Sequence, residues 1–380
     1  MLPHCAKKIT IALTFATLIA LSIGYYKFSF QFQAEAASLH PVFYNIDPDH
    51  CTPTALPITD ARVSSQDIIP NIVHYVWLLN GHDKFSVDFK TFISIYSASF
   101  YFHPDKIYIH TDASQEQWDQ AKKNGNDATR WTLKIPKITY HWVPLPGYTL
   151  SCVKIEGIEH KSDFVRTQQL HNYGGIYMDT DVIPLRDVRS LRETGFSNIF
   201  GLTIPGRVNN GFMMGKSRNA LQSIYMAEQH RVFDNGWITH SVELLTALSH
   251  RLQAVPKEVM ILEMTAFSPS SWSAEGIEAL FMPHNDTPPV EESRNKVPTG
   301  FQDTVDYWNS RAWAGKLEWE IDYSSSYAIH AFDQSDRSAE DYWPNQVNLE
   351  YIMSRKSNYA RATYPAIKHA VDVGLIDRNP

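Results

Sequence analysis

The stretch GGIYMDTDVIPL, residues 174–185, decides how the rest of the chain is read. A glycine pair opens it, a short apolar run follows, and two carboxylates one residue apart, Asp179 and Asp181, stand where the run ends. Branched and aromatic residues after a glycine turn predict a short buried strand, with Pro184 beyond it. Two acids projecting from a strand end into one space repel, and one is driven toward protonation. A divalent cation removes that conflict. Carboxylate oxygens suit Mn2+ or Mg2+, and either ion can hold a diphosphate.

Other readings compete on the tripeptide alone. The blandest is a solvated turn capped by aspartates. A phosphatase of the haloacid-dehalogenase type also ends a strand in D-x-D, but it requires a threonine two residues after the second acid, where this chain has Ile183. A calcium loop needs more oxygen ligands and a glycine at its sixth position, and neither is present.

Outward from the motif, HKSDFVRTQQLHNYGG reads as a helix closing on glycine, which delivers its residues to the turn before the strand. Asp163 and Arg166 are three apart in it and share a face. They form either an ordinary intrahelical ion pair or a carboxylate and guanidinium aimed at the same pocket as the D-x-D. Further upstream, IIPNIVHYVWLL, KIYIHTD and ITYHWV read as strands. SVDFKTFISIYSASFYF has helical spacing, and SQEQWDQAKKNG is a helix with a start signal at Ser114 and a stop at Gly125. Strands alternating with helices predict an α/β layer fold with a largely parallel sheet, whose ligands bind beyond the carboxyl ends of the strands. Downstream, IFGLTI and GFMMG predict further strands, residues 218–253 two helices, and residues 268–323 a loop-rich stretch. SYAIHAF predicts a late strand holding His330.

The remaining composition bounds the partners. Of 380 residues, 43% are hydrophobic and 20% charged, which fits a globular body, and the net charge of −7 argues against a nucleic-acid footprint. The 13% aromatic content suits an aromatic core or a surface that binds rings and sugars. ITIALTFATLIALSIGYY, residues 9–26, carries no charge and approaches the roughly 20 apolar residues that span a bilayer. Lys7 and Lys8 precede it, so the positive-inside rule places the N-terminus in the cytosol. A signal anchor is expected, with a tail at 1–8, a stem at 27–66 and the body in the lumen of the secretory pathway. Cys51 and Cys152 then either pair or remain thiols, Cys5 lies in the tail, and Asn285 heads a glycosylation sequon.

IPNIVHYVW followed by SDFVRTQQLHNYGGIYMDTDVIPL resembles the family 32 glycosyltransferases, the sugar-transferase group with a D-x-D region, which includes fungal α-mannosyltransferases and α-1,4-galactosyltransferases. It is more distantly similar to the glucosylating clostridial toxins. The specific part covers residues 69–185, with weaker similarity to about 335. The resemblance implies a GT-A fold, a Rossmann-like nucleotide-binding α/β sheet, over residues 67–345, with a C-terminal helical extension at 346–380. It implies a retaining hexosyltransferase of the Golgi membrane, type II in topology, which uses Mn2+ or Mg2+ and a UDP-hexose or GDP-mannose donor on a glycan, lipid or other acceptor. It implies a catalytic set of Asp163, Arg166 and Asp181, and metal ligands Asp179, Asp181 and His330. The donor would be bound by Val76, Trp77, Asp163, Arg166, Tyr177, Asp179 and Asn210, with Asn209 also near the transferred sugar. Read from the residues alone, Trp77 and His330 are equally ordinary core residues. The family pattern has a tryptophan shortly after the late histidine, and AFDQSDRS lacks it. Residues 145–160 and 265–325 are the expected acceptor loops. A protein of the same fold that only binds a sugar nucleotide or a partner is the competing class, which the intact set of acids and arginine disfavours.

Overall fold

The structure is a computed structural model that describes residues 68–204, 206–285, 317–332 and 343–377. The expected anchor at 9–26, the stem, Cys5 and Cys51 lie outside the described residues. Among the described residues no helix is long and apolar enough to cross a membrane.

A seven-stranded sheet organises the body, in the order β3-β2-β1-β4-β7-β6-β8. Its first half is parallel and comes from the alternating part of the chain. β1 (Ile72–Val76), β2 (Lys106–Thr111), β3 (Ile138–Trp142) and β4 (Gly175–Met178) are linked by helices. Those helices are α1 (Phe89–Phe102), α2 (Gln115–Asn124), α3 (Asp127–Lys134) and α4 (Ile158–Tyr173). Capping explains their limits. Asp88 caps α1 through the Thr91 N–H, and Ser114 and Gln117 form a reciprocal capping box on α2, as its serine start predicts. The sequence reading missed α3, an eight-residue helix capped by Asn126.

After β4 the chain turns through the acids into the three-residue β5 (Val182–Pro184) and the short α5 (Arg189–Arg192). β6 (Asn198–Ile204) and β7 (Arg207–Gly215) form a hairpin, with β7 antiparallel to β4. α6 (Ala220–Val232), a π-helical turn at Thr239–Glu243 and α7 (Leu244–Leu252) lead to β8 (Val259–Leu262), which lies parallel to β6. The sheet is therefore mixed but largely parallel, as expected, with β7 the strand that runs antiparallel to its neighbours. The stretch expected to be loop-rich contains α8 (Ala274–Phe281), capped by Ser273. Residues 286–316 of that stretch lie outside the described residues.

β9 (Ala328–His330) pairs antiparallel with β5 in a small second sheet, bringing residues almost 150 positions apart into register. α9 (Leu349–Ser354) and α10 (Asn358–Asp372) follow. α10 packs on α1, and Ala360, Ala366 and Ile367 share the main core. That core lies between the sheet and its helices, with Val73, Tyr75, Phe92, Ile107, Ile176 and Met214 almost completely buried.

Candidate functional site

The glycine pair makes the turn from α4 into β4 possible. Gly174 and Gly175 have φ of +64° and +116°, and a Cβ on Gly175 would stand 2.3 Å from the Ile72 carbonyl oxygen. β4 then runs Ile176-Tyr177-Met178, fully buried, and releases Asp179 and Asp181 at its carboxyl end. The acids are half-buried, with side chains 26% and 22% exposed. The Asp179 N–H donates to the Gly211 carbonyl of β7 at 2.8 Å, pinning the motif to the next strand. Gly211 passes so close beneath that a Cβ there would lie 2.6 Å from His330 Cε1 and 2.7 Å from Asp179 Oδ2.

Three elements converge on these acids. Alternation along β4 puts Tyr177 on the same side as Asp179, and its hydroxyl donates to Asp179 Oδ1 at 2.5 Å. α4 brings Arg166, whose Nη2 lies 3.1 Å from Asp179 Oδ1 and 3.4 Å from Asp163 Oδ1, while Nη1 donates to the Asn210 carbonyl at 3.2 Å. The Asp163–Arg166 pair is thus an intrahelical ion pair that also reaches the motif. The β5–β9 pairing places His330 opposite Val182, with Nε2 3.4 Å from Asp181 Oδ1.

Burial raises the Asp179 carboxyl above its usual range; Arg166 opposes this and Asp181 adds to it. Burial also holds the Tyr177 phenol well above its ordinary value, so it stays a donor. Burial works against charge on Arg166, but the surrounding Asp179, Tyr177 and Asp163 outweigh it and keep the guanidinium charged. At His330 burial opposes protonation, and Asp181 and then Asp179 outweigh it.

Asp179, Asp181 and His330 each offer one ligand atom, and these lie within 4.8 Å of one another. Two hard carboxylates and an imidazole are a donor set that fits Mn2+ or Mg2+. One adjustment is required. Asn209 Oδ1 accepts from the Gly211 N–H at 2.7 Å, so its amide nitrogen donates to His330 Nδ1 at 2.8 Å and to Ser268 Oγ at 3.0 Å. With Nδ1 accepting, the imidazole proton lies on Nε2, toward Asp181. A cation or a second proton on this ring needs the Asn209 amide turned so that Nδ1 can carry hydrogen.

The two asparagines therefore divide the work: Asn210 Nδ2 donates to Asp163 Oδ1 at 2.9 Å, while Asn209 orients His330. Val76 ends β1, which neighbours β4 in the sheet, and Trp77 follows it; Val76 is buried and Trp77 packs half-buried against the core. No hydrogen bond or ring contact joins Trp77 to the acid cluster among the described residues. Sequence reasoning missed His240, whose Nε2 lies 3.0 Å from Asp163 Oδ2, because nothing local marks it out. It also missed Ser268. Where a tryptophan is lacking after the late histidine, Phe332 stacks on His330 at 3.9 Å.

Residues 90–197 match the family described as the glycosyltransferase sugar-binding region containing the DXD motif. The matched region covers less than a third of the chain. It includes α4, the glycine turn and both acids, and it supports a glycosyl-transfer function. No curated protein matches the chain. Among solved structures, the PaToxG glycosyltransferase is similar over 50% of this chain and 71% of its own, at 16% identity and a TM-score of 0.36. The glycosyltransferase GlyE of Streptococcus pneumoniae is similar over 80% of this chain and 64% of its own, at 9% identity and a TM-score of 0.40. The galactosyltransferase LgtC, solved with donor and acceptor sugar analogs, is similar over 78% of this chain and 95% of its own, at 11% identity and a TM-score of 0.36.

Proposed function

We propose that the protein is a metal-dependent GT-A glycosyltransferase. It moves a hexose from a nucleotide sugar, a UDP-hexose or GDP-mannose, to a hydroxyl of a glycan, glycolipid or other acceptor, with retention of configuration. The observation that carries this reading is the meeting of Asp179 and Asp181, which lie at the end of β4 inside the matched region, with His330 of β9, which lies outside it, their ligand atoms within 4.8 Å of one another.

In this reading Asp179, Asp181 and, with the Asn209 amide turned, His330 would hold Mn2+ or Mg2+, which would supply charge neutralisation for a diphosphate leaving group. Arg166 adds a fixed positive charge beside it. Asp163 accepts from ribose or sugar hydroxyls, and Trp77 stacks on the base at the end of β1. Tyr177 keeps its proton and orients Asp179. The bond from the anomeric carbon to phosphate breaks as the bond to the acceptor oxygen forms on the same face, and the departing phosphate oxygen takes the acceptor's proton. That course needs no carboxylate on the opposite face. The body is held in the Golgi lumen by the anchor at 9–26. A disulfide at Cys152 suits that oxidising compartment.

The ligand set is tested by titrating Mn2+ into the wild type and variants. One site is expected. Asp179→Ala and Asp181→Ala should each abolish it, and His330→Ala should weaken it by about 10- to 100-fold. Unchanged affinity in the Asp179→Ala/Asp181→Ala double variant would refute the assignment.

A further inference from the structure

Asp163 is gripped from a side that the donor-site reading does not use. His240 sits in the π-helical turn Thr239–Glu243 and is completely buried. Such turns are rare and occur often at functional positions, because they give up regular helical hydrogen bonding. Three rings cage the imidazole. Phe164 stacks on it at 5.5 Å, and Phe233 and His160 stand edge-on at 4.8 and 4.9 Å. His240 Nδ1 has no hydrogen-bond partner, so the ring's one polar contact among the described residues is Nε2 to Asp163 Oδ2 at 3.0 Å.

An ionised carboxylate only accepts, so Nε2 carries the proton and donates. Asn210 Nδ2 holds the other oxygen at 2.9 Å. With each oxygen held by its own donor, the plane of the Asp163 carboxylate is fixed. A buried imidazole that satisfies one nitrogen and leaves the other bare is poor packing for its own sake, since an apolar ring would fill the same cage at no polar cost.

We infer that His240 is a positioning residue for the donor site. It locks the Asp163 carboxylate in the orientation that meets the hydroxyls of a nucleotide sugar, and it sets donor affinity without touching the donor. The inference rests on the reading of Asp163 as a donor-binding residue.

The test titrates UDP-galactose, UDP-glucose, UDP-N-acetylglucosamine and GDP-mannose, each with Mn2+, into the full-length chain in detergent. The proteins are the wild type, His240→Ala, His240→Gln and Phe233→Leu. For the donor that the wild type binds, His240→Ala should weaken affinity about 10-fold, the worth of one hydrogen bond to a charged group. KM should rise with it while kcat changes far less. His240→Gln, which still offers an N–H, should recover most of the loss, and Phe233→Leu, which loosens the cage but keeps the donor, should stay near the wild type. In an Asp163→Ala background, His240→Ala should add nothing further. Equal losses in His240→Ala and Phe233→Leu, or full additivity with Asp163→Ala, would reduce His240 to packing and overturn the inference while leaving the donor reading intact. A wild type that binds none of the four donors takes down that reading and the inference with it.

Discussion

Two polar clusters hang from the same helix, α4, and they are completed in opposite ways. At its C-terminal end a line of imidazoles crosses β1, β2 and β3. The Gly174 carbonyl lies 2.8 Å from His74 Nε2, and His74 Nδ1 lies 2.9 Å from His110 Nε2. His110 Nδ1 lies 3.0 Å from His141 Nδ1, and His141 Nε2 lies 3.2 Å from the Tyr173 hydroxyl. A carbonyl only accepts, so the proton order follows along the line: each neutral ring donates toward Gly174 and accepts from the next, and Tyr173 donates last. Burial pulls His74 down to about 4, His110 well down and His141 lower, which keeps the line neutral. In the middle of the helix, Arg166 is shared by the carboxylates of Asp163 and Asp179, and a third carboxylate, Asp181, stands beside His330. The contrast teaches a rule for this molecule. The network that ties strands together closes on itself with neutral groups, while the one proposed to receive a charged ligand keeps a surplus of carboxylates.

The sharpest way to break the contrast is Arg166→Lys. Lysine keeps the charge but cannot span Asp163 and Asp179 with a planar fork, so turnover should fall at least 100-fold, about 3 kcal/mol, with the circular dichroism spectrum retained. Wild-type turnover in this variant would mean that the bridge is structural, like the imidazole line.

A smaller effect is expected in the line itself. The folded-state value of His74, about 4, lies below its ordinary 6.5, so the unfolded chain takes up a proton first as pH falls. The stability contribution is therefore whole above about pH 6.5 and is lost as pH falls toward 4, at a cost on the order of 3 kcal/mol. His74→Gln, which can still donate to Gly174, should flatten the acid limb of urea-unfolding stability measured at pH 7, 5.5 and 4.5, and leave donor affinity unchanged. An unchanged slope would show that the acid limb comes from elsewhere.

The two clusters also differed in how far they could be read from sequence. Asp179, Asp181, Asp163 and Arg166 are all delivered by one continuous helix–turn–strand segment, so local spacing was enough to put them together. The parallel half of the sheet was legible for the same reason, through strands and helices of clean periodicity. His330 depended on the pairing of β5 with β9, a non-local contact no periodicity encodes, and only the resemblance pointed to it. His240 carried no local signal, because the groups it meets, Asp163, Phe164 and His160, all come from α4, far away in the chain. The division between Asn209 and Asn210 follows from the alternation of β7, but which neighbour each would meet depends on elements far away in the chain. The imidazole line was equally hidden, since His74, His110 and His141 become neighbours only once three strands lie in register.

The most direct measurement of the central claim is the release of free nucleotide from the four donor sugars with Mn2+, with and without EDTA, by the wild type and Asp181→Ala. Release from one donor that EDTA abolishes and the variant lacks is the expected result, and it would name the sugar as well. Release that persists in Asp181→Ala, or no metal-dependent binding of any donor, would contradict it and leave the two aspartates as a turn.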